Sequence, residues 1–337
     1  MSVVPTIASI APSLALPGGR VSLEGGPFSV GGLSLPLVRV GGHPALVSFA
    51  APSRMTFVVP SDVAEGRISV RLDEAPEVSA VLDVGVRIAS GIHQVDSPAV
   101  DAQGRVYLTC SGSRGQETSV SVYRVTETGR REVFVTGITN ATSLAIGPDG
   151  RLYVSSRFDG TVARIDVDGH ADVIASDLGV ACGLAFGTDG TMFVGDRSGC
   201  VFRVERGGEA RVLASLPPSV AAYHLAAAPG GDLFVTGPTL SSRDCVYRID
   251  RDGQVSVFAT GFGRPQGVAT GPNGRLYVVE ALAGACGVFR VDEDGGGASP
   301  VLAAPSLVGL AFTPDGGLVV ASNDSAWRFT DQQFAVA

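Results

Sequence analysis

From about residue 97 the chain repeats one pattern: a short apolar stretch, a Pro/Asp/Asn-Gly turn, then a second apolar stretch. The unit reads SPAVDAQGRVYLT, TSLAIGPDGRLYVSS, CGLAFGTDGTMFVGD, HLAAAPGGDLFVTG, QGVATGPNGRLYVVE and VGLAFTPDGGLVVAS. Its turn glycines, Gly104, Gly150, Gly190, Gly231, Gly274 and Gly316, are 40 to 46 residues apart. A second signature follows each turn: VYRV (122–125), VARI (162–165), VFRV (201–204), VYRI (246–249), VFRV (288–291) and AWRF (326–329). Alternation with Arg always in the same slot predicts a third strand, apolar on one face. Acidic-Gly turns such as Asp168-Gly169 and Asp252-Gly253 lead into a fourth. A four-stranded sheet cannot bury both its faces alone, but several packed around an axis can. The pattern predicts an all-β chain with a six-bladed β-propeller of four-stranded blades over residues 85–337.

Residues 1–84 have a different rhythm. RVSLEG, LVRVGG, ALVSFA, MTFVVP, RISVRL and VSAVLDV alternate at shorter spacing with turn signals between, which predicts a small Ig-like β-sandwich. Two segments match the strand needed to close the last blade: VGVRIASGI (84–92) and QQFAVA (332–337). The sequence leaves that choice open. Either would protect a sheet edge.

Composition narrows the chemistry. The 337 residues carry a net charge of −8, and all 25 basic residues are Arg. Lysine Schiff bases and the lysine-dependent phosphate loop are therefore excluded. The acidic balance argues against a nucleic-acid partner, and no apolar run is long enough for a membrane helix. The start lacks a secretory signal, which predicts a cytoplasmic protein; a secreted form with its signal removed would read the same. Five cysteines, Cys110, Cys182, Cys200, Cys245 and Cys286, have no close pair and read as free thiols.

The N-terminal segment resembles the IPT/TIG Ig-like family. The matching residues are Pro5-Thr6-Ile7, Ile10-Ala11-Pro12, Pro17-Gly18-Gly19, Val40-Gly41-Gly42 with Pro44-Ala45, Met55 to Pro60, and Gly66 to Val70. Such domains act mostly as spacers or protein-contact modules, which implies a protein contact through this part. The repeats resemble NHL-repeat and senescence-marker/gluconolactonase-like propellers, over nearly all of residues 86–337. That resemblance implies lactonases, phosphotriester hydrolases, lyases or binding scaffolds, since fold does not fix function.

Innermost propeller strands start around one end of the axial channel. Eight residues before each turn glycine stand Asp96, Thr142, Cys182, Tyr223, Gln266 and Val308. The calcium lactonases of the resembling family carry a glutamate, two asparagines and an aspartate at this level. Here the matching blades offer Asp96, Cys182, Tyr223 and Gln266, with a single carboxylate, a set more compatible with Zn²⁺ than with Ca²⁺. Second strands end at the same mouth with Cys110, Arg157, Asp196, Glu280 and Asn323. Third strands begin there near the remaining thiols, so Cys200, Cys245 and Cys286 read chiefly as packing residues. His224 follows the ring, where alternation turns it aside unless its strand starts late, and His93 precedes it. His43 and His170 lie elsewhere and read as structural.

The leading expectation is a hydrolase of a small ester, lactone or phosphotriester-like substrate. In a metal form, Asp96, with His93 or His224 and with Cys182, holds one divalent ion that activates water. In a metal-free form Cys182 attacks, a nearby His accepts its proton, and Tyr223 or Gln266 donates to the oxyanion. Thr142, Arg157, Gln266 and Asp196 would contact substrate. Asp196 and Glu280 are expected either to pair with an Arg such as Arg157 or Arg264, or to serve in acid–base steps. A non-catalytic ligand- or protein-binding propeller is the first alternative. A lyase or isomerase moving protons through Tyr223 and Glu280 is the second.

Overall fold

The computed structural model describes residues 4–30, 36–281 and 286–335. Each repeat turn forms a tight hairpin. In the second repeat, Gly147 N–H donates to Arg151 O and Gly150 N–H to Gly147 O, both at 2.9 Å. Gly150 takes a φ of +73°, open to glycine without steric cost, and Asp149 accepts the Arg151 N–H with its side chain.

The fold is an all-β propeller with four-stranded blades. The first blade is Ala99–Val100, Val106–Thr109, Val122–Val125 and Arg131–Val135. The second is Ala141–Ile146, Leu152–Ser156, Thr161–Ile165 and Ala171–Ala175. The third is Ala181–Phe186, Met192–Asp196, Cys200–Val204 and Ala210–Ser215, and the fourth is His224–Ala227, Leu233–Thr236, Asp244–Ile249 and Val255–Phe262. A further sheet joins Leu307–Phe312, Leu318–Ser322 and Ser325–Phe329 to Val86–Ser90.

That last pairing decides the closure. Ser325 faces Ser90 and Arg328 faces Val86 in antiparallel register. The competing segment enters the helix Asp331–Ala335 instead, and its final residues, 336–337, lie outside the described ones. Phe334 of that helix packs on Tyr277 and Phe312, and Gln333 Nε2 donates to Asp83.

Five separate four-stranded sheets are present, not the six expected. The strands Pro265–Thr270, Leu276–Glu280, Gly287–Val291 and Ala298–Ala303 repeat the blade order but end a twelve-stranded sheet shared with the N-terminal strands. For the same reason the expected Ig-like sandwich is not a separate body. The cause is Leu14–Ala15, which pairs in parallel with Leu302–Ala303 on one side and with Asp83–Val84 on the other. An edge that a free-standing blade would leave open is thereby filled by main-chain bonds.

The core lies between consecutive four-strand units rather than within any one. Val122, Ile138, Leu144 and Val154 fill one seam, and Leu225, Val235, Ala214 and Val201 another. Val106, Leu108, Val319 and Ala326 fill the seam across the closure. Leu14 and Leu16 sit with Val288, Leu307, Leu318 and Phe329. This radial packing brings the starts of the inner strands to one end of the axis.

Candidate functional site

The axial end holds a buried polar triad. His224 Nδ1 donates to Asp96 Oδ1 in a short contact, and its Nε2 lies 3.2 Å from Gln266 Oε1. All three side chains are buried. Asp96 also accepts the Ser97 N–H at 2.6 Å, and Thr236 Oγ1 donates to the Gln266 carbonyl. With Nδ1–H given to Asp96, the tautomer and ring orientation are fixed. The ring lies between Asp96 and Gln266, each of its nitrogens within 3.2 Å of one of their oxygens, and bridges them across the axis.

The strand explains why His224 lies inside the ring and Tyr223 outside. It pairs from His224 with Thr236 without the register shift that the inner strands starting at Ala141, Ala181, Pro265 and Leu307 carry near their beginnings. Alternation then turns His224 to the axis and Tyr223 between sheets, among Val201, Leu216 and Leu225. Tyr223 is buried, and its hydroxyl donates to the Pro217 carbonyl in a short contact. Burial raises its pKa, so it remains a protonated packing residue. Thr142 is likewise spent locally, donating to Asn140 O at 2.7 Å.

Cys182 is 1% exposed, and burial pushes its thiol up to about 12 despite the opposing charge of Arg157. A neutral thiol is a poor nucleophile and a poor metal ligand. His93 also stays near the mouth: its backbone N–H donates to Thr109 O and its carbonyl accepts Ser111 N–H. Burial, and then Arg157, lower its pKa and keep it neutral.

The two strand-end carboxylates cap backbone. Glu280 accepts Gly263 N–H at 2.6 Å and Arg264 N–H at 2.8 Å, through its two oxygens. Asp196 accepts Val180 N–H at 2.8 Å and Ser198 N–H at 3.2 Å, with a short contact from the Ser198 hydroxyl. Each ties the end of a second strand to an adjoining connection. Main-chain donors that the sequence did not point to thus reach both carboxylates.

The donor set does not fit a divalent metal. Asp96 and His224 bind each other, and the Cys182 thiol is held protonated. Among the described residues, three metal-type donors converge only at Asp166, Asp168 and His170, an exposed turn at the opposite end.

What the mouth offers is positive charge. Arg157 is half-buried, and its guanidinium donates to the Gly112 carbonyl at 3.2 Å. Burial lowers its pKa, and the charges of Arg197 and Arg114 push it down further. Among the described residues no carboxylate lies within ion-pair distance of Arg157, whereas Arg39, Arg124, Arg164 and Arg248 each have one. Asn140 shapes this corner. At φ +51° its amide donates to the Ser111 and Ser113 carbonyls and accepts Gly115 N–H, which presents Gly112 O to Arg157. Gln94 does the same beneath Asp96, donating to its carbonyl at 2.8 Å and accepting Thr109 N–H. Neither residue carried a signal in the sequence, since both lie in connections without a repeated motif.

No family description matches the chain, and no curated protein sequence does. Several solved structures share its fold. An auxiliary nutrient binding protein from Bacteroides ovatus is 13% identical, with a TM-score of 0.54 over 97% of this chain and 98% of that one. A gluconolactonase from Xanthomonas campestris is 18% identical, TM-score 0.59, over 72% of this chain and 88% of its own. Virginiamycin B lyase from Staphylococcus aureus is 15% identical, TM-score 0.51, over 72% and 87%. At these identities the similarity shows the propeller fold alone. No helix among the described residues is long and apolar enough to cross a membrane.

Proposed function

We propose that this chain is a ligand-binding propeller that captures a small anion at its axial mouth. The observation that carries the reading is Arg157, a half-buried guanidinium without a carboxylate partner, beside two more positive groups. Burying a charge is costly unless it is paired, so an anion would relieve both the desolvation and the repulsion. A planar guanidinium suits a carboxylate or phosphate through two parallel bonds. The nutrient-binding neighbour, matched over nearly the whole of both chains, supports the ligand-binding class.

In this reading the four strands from Pro265 to Ala303 serve as a sixth blade, the propeller occupies residues 85–337, and residues 1–84 form an IPT/TIG-like contact module fused to it. Hydrolysis through Cys182 or a metal has weaker support, because those groups are buried, protonated or mutually engaged. Proton transfer by Tyr223 and Glu280 fares no better, since both are tied to backbone.

Isothermal titration with acetate and with inorganic phosphate tests the proposal. Binding that weakens about tenfold or more in Arg157→Gln is expected, since hydrogen bonds to a charged group are being lost. Equal heats from wild type and variant would sink it. Turnover in a panel of esters and lactones would put the hydrolase in its place.

A further inference from the structure

We propose that the ligand is an amphipathic carboxylate, a small anion carrying an apolar tail that lies across the rim of the mouth. This rests on the anion-binding reading above and specifies its substrate class.

Three apolar side chains stand in loops at the mouth: Phe158 at 52% exposed, Val220 at 43% and Leu240 at 94%. The other exposed valines, such as Val133, Val173, Val212 and Val257, sit singly on the outermost strand of different blades. Scattered residues of that kind need no explanation. The mouth residues differ because the first of them adjoins Arg157 and the others stand on connections that bond to the Arg197 segment. Phe158 directly follows Arg157 and packs against Gly115 of the loop that holds the guanidinium.

From there main-chain contacts lead on toward Val220 and Leu240. Arg157 and Arg197 lie near enough for their charges to act on one another. Ser219 N–H donates to Arg197 O at 3.0 Å, and Val220 N–H donates to Pro238 O at 2.8 Å, two residues before Leu240. The Ser219 hydroxyl also donates to the Pro238 carbonyl, at 3.0 Å, clamping the two connections together. Positive charge at the centre and branched or aromatic carbon at the border match a head that is anionic and a tail that is not. A free inorganic anion would leave those carbons in water, and a sugar acid would bring hydroxyls to them without polar partners.

A chain-length series tests this. Wild-type protein is titrated with acetate, butyrate, hexanoate, octanoate and 3-phenylpropionate. Affinity should rise up to about fourfold for each methylene buried at the rim. Phe158→Ser and Leu240→Ser, both exposed enough to leave folding intact, should flatten the gradient, and Val173→Ser on a distant strand should leave it steep. If acetate and inorganic phosphate bind through Arg157 but the gradient is flat, the amphipathic ligand is wrong and the anion site stands. If no member of the series binds, both readings fall. A steep gradient untouched by Phe158→Ser and Leu240→Ser would place the tail elsewhere and overturn the inference. So would tighter binding to phosphatidylcholine–phosphatidylglycerol vesicles than to octanoate, which would make the rim a membrane-contact surface.

Discussion

His224 and Asp96 meet across 128 residues of sequence at the propeller axis, where the imidazole donates to the carboxylate and neither side chain reaches solvent. Gln266 completes the contact from the other side. A buried pair of this kind ties the connection before the first blade to the inner strands of two others. Its removal therefore acts on the whole ring.

Breaking one partner strands the other in the interior. Asp96→Ala and His224→Ala should each lower stability by about 3–5 kcal/mol. The double variant should lose clearly less than the sum, because its second change removes a group already unpaired. Urea midpoints for wild type, the two single variants and the double variant measure this. Additive losses would show that the contact is not energetically coupled.

Cys182 should be inert in the native protein. With its thiol held up near 12, the thiolate is negligible at neutral pH, and native Cys182 should not react with a thiol-directed disulfide reagent until the chain unfolds. The same shift sets a sign on alkaline stability. The folded state keeps a proton that the unfolded state gives up from about its ordinary value of 9.0, so stability is full below that pH and falls as pH rises toward 12. Tyr107, also raised to about 12 by burial, adds to the fall from pH 10.0 upward. Cys182→Ala should make the alkaline decline shallower in thermal melts between pH 8 and pH 11.

His93 can report on the mouth. Burial and then the charge of Arg157 hold its pKa below the usual 6.5. Neutralising that charge should raise it, so Arg157→Gln and a saturating anion should each move the His93 proton resonances to a higher titration midpoint. An unchanged midpoint in both would separate His93 from the Arg157 environment.

The seam between the N-terminal strands and the propeller should be costly to open. Leu14 and Leu16 are almost wholly buried among Val288, Leu302, Leu318 and Phe329. Leu16→Ala should cost about 2–5 kcal/mol by the cavity it leaves. Gly85→Ala should destabilise as well, since its new methyl would stand 2.7 Å from the Phe329 ring and 2.8 Å from Leu16. Differential scanning calorimetry should show a lowered transition in both variants.

The repeat was legible because the turns declare themselves: Asp149-Gly150 and Asn273-Gly274 require the left-handed φ that only glycine adopts freely, and they recur at one spacing. The alternation around them placed the strands. Less was readable at the axis, where one inner strand lacks the register shift that others carry, which exchanges Tyr223 for His224 and moves a histidine from a seam to the centre. Spacing from the turn carries no information about that shift. Asp196 and Glu280 stand at strand ends as the pattern places them, but both accept main-chain N–H groups, and every sequence has those everywhere. The fusion of the N-terminal strands was equally hidden, because Leu14–Ala15 is too short to stand out as a strand.

Pairing of Val86–Ser90 with Ser325–Phe329 has a consequence for biosynthesis. As the polypeptide leaves the ribosome, the first of these strands emerges early and has no mate until the last blade has been translated. The nascent chain must carry that open edge throughout elongation. The ring can be sealed only once Ser325–Phe329 has been made, so chaperone dependence should be greatest until that strand emerges.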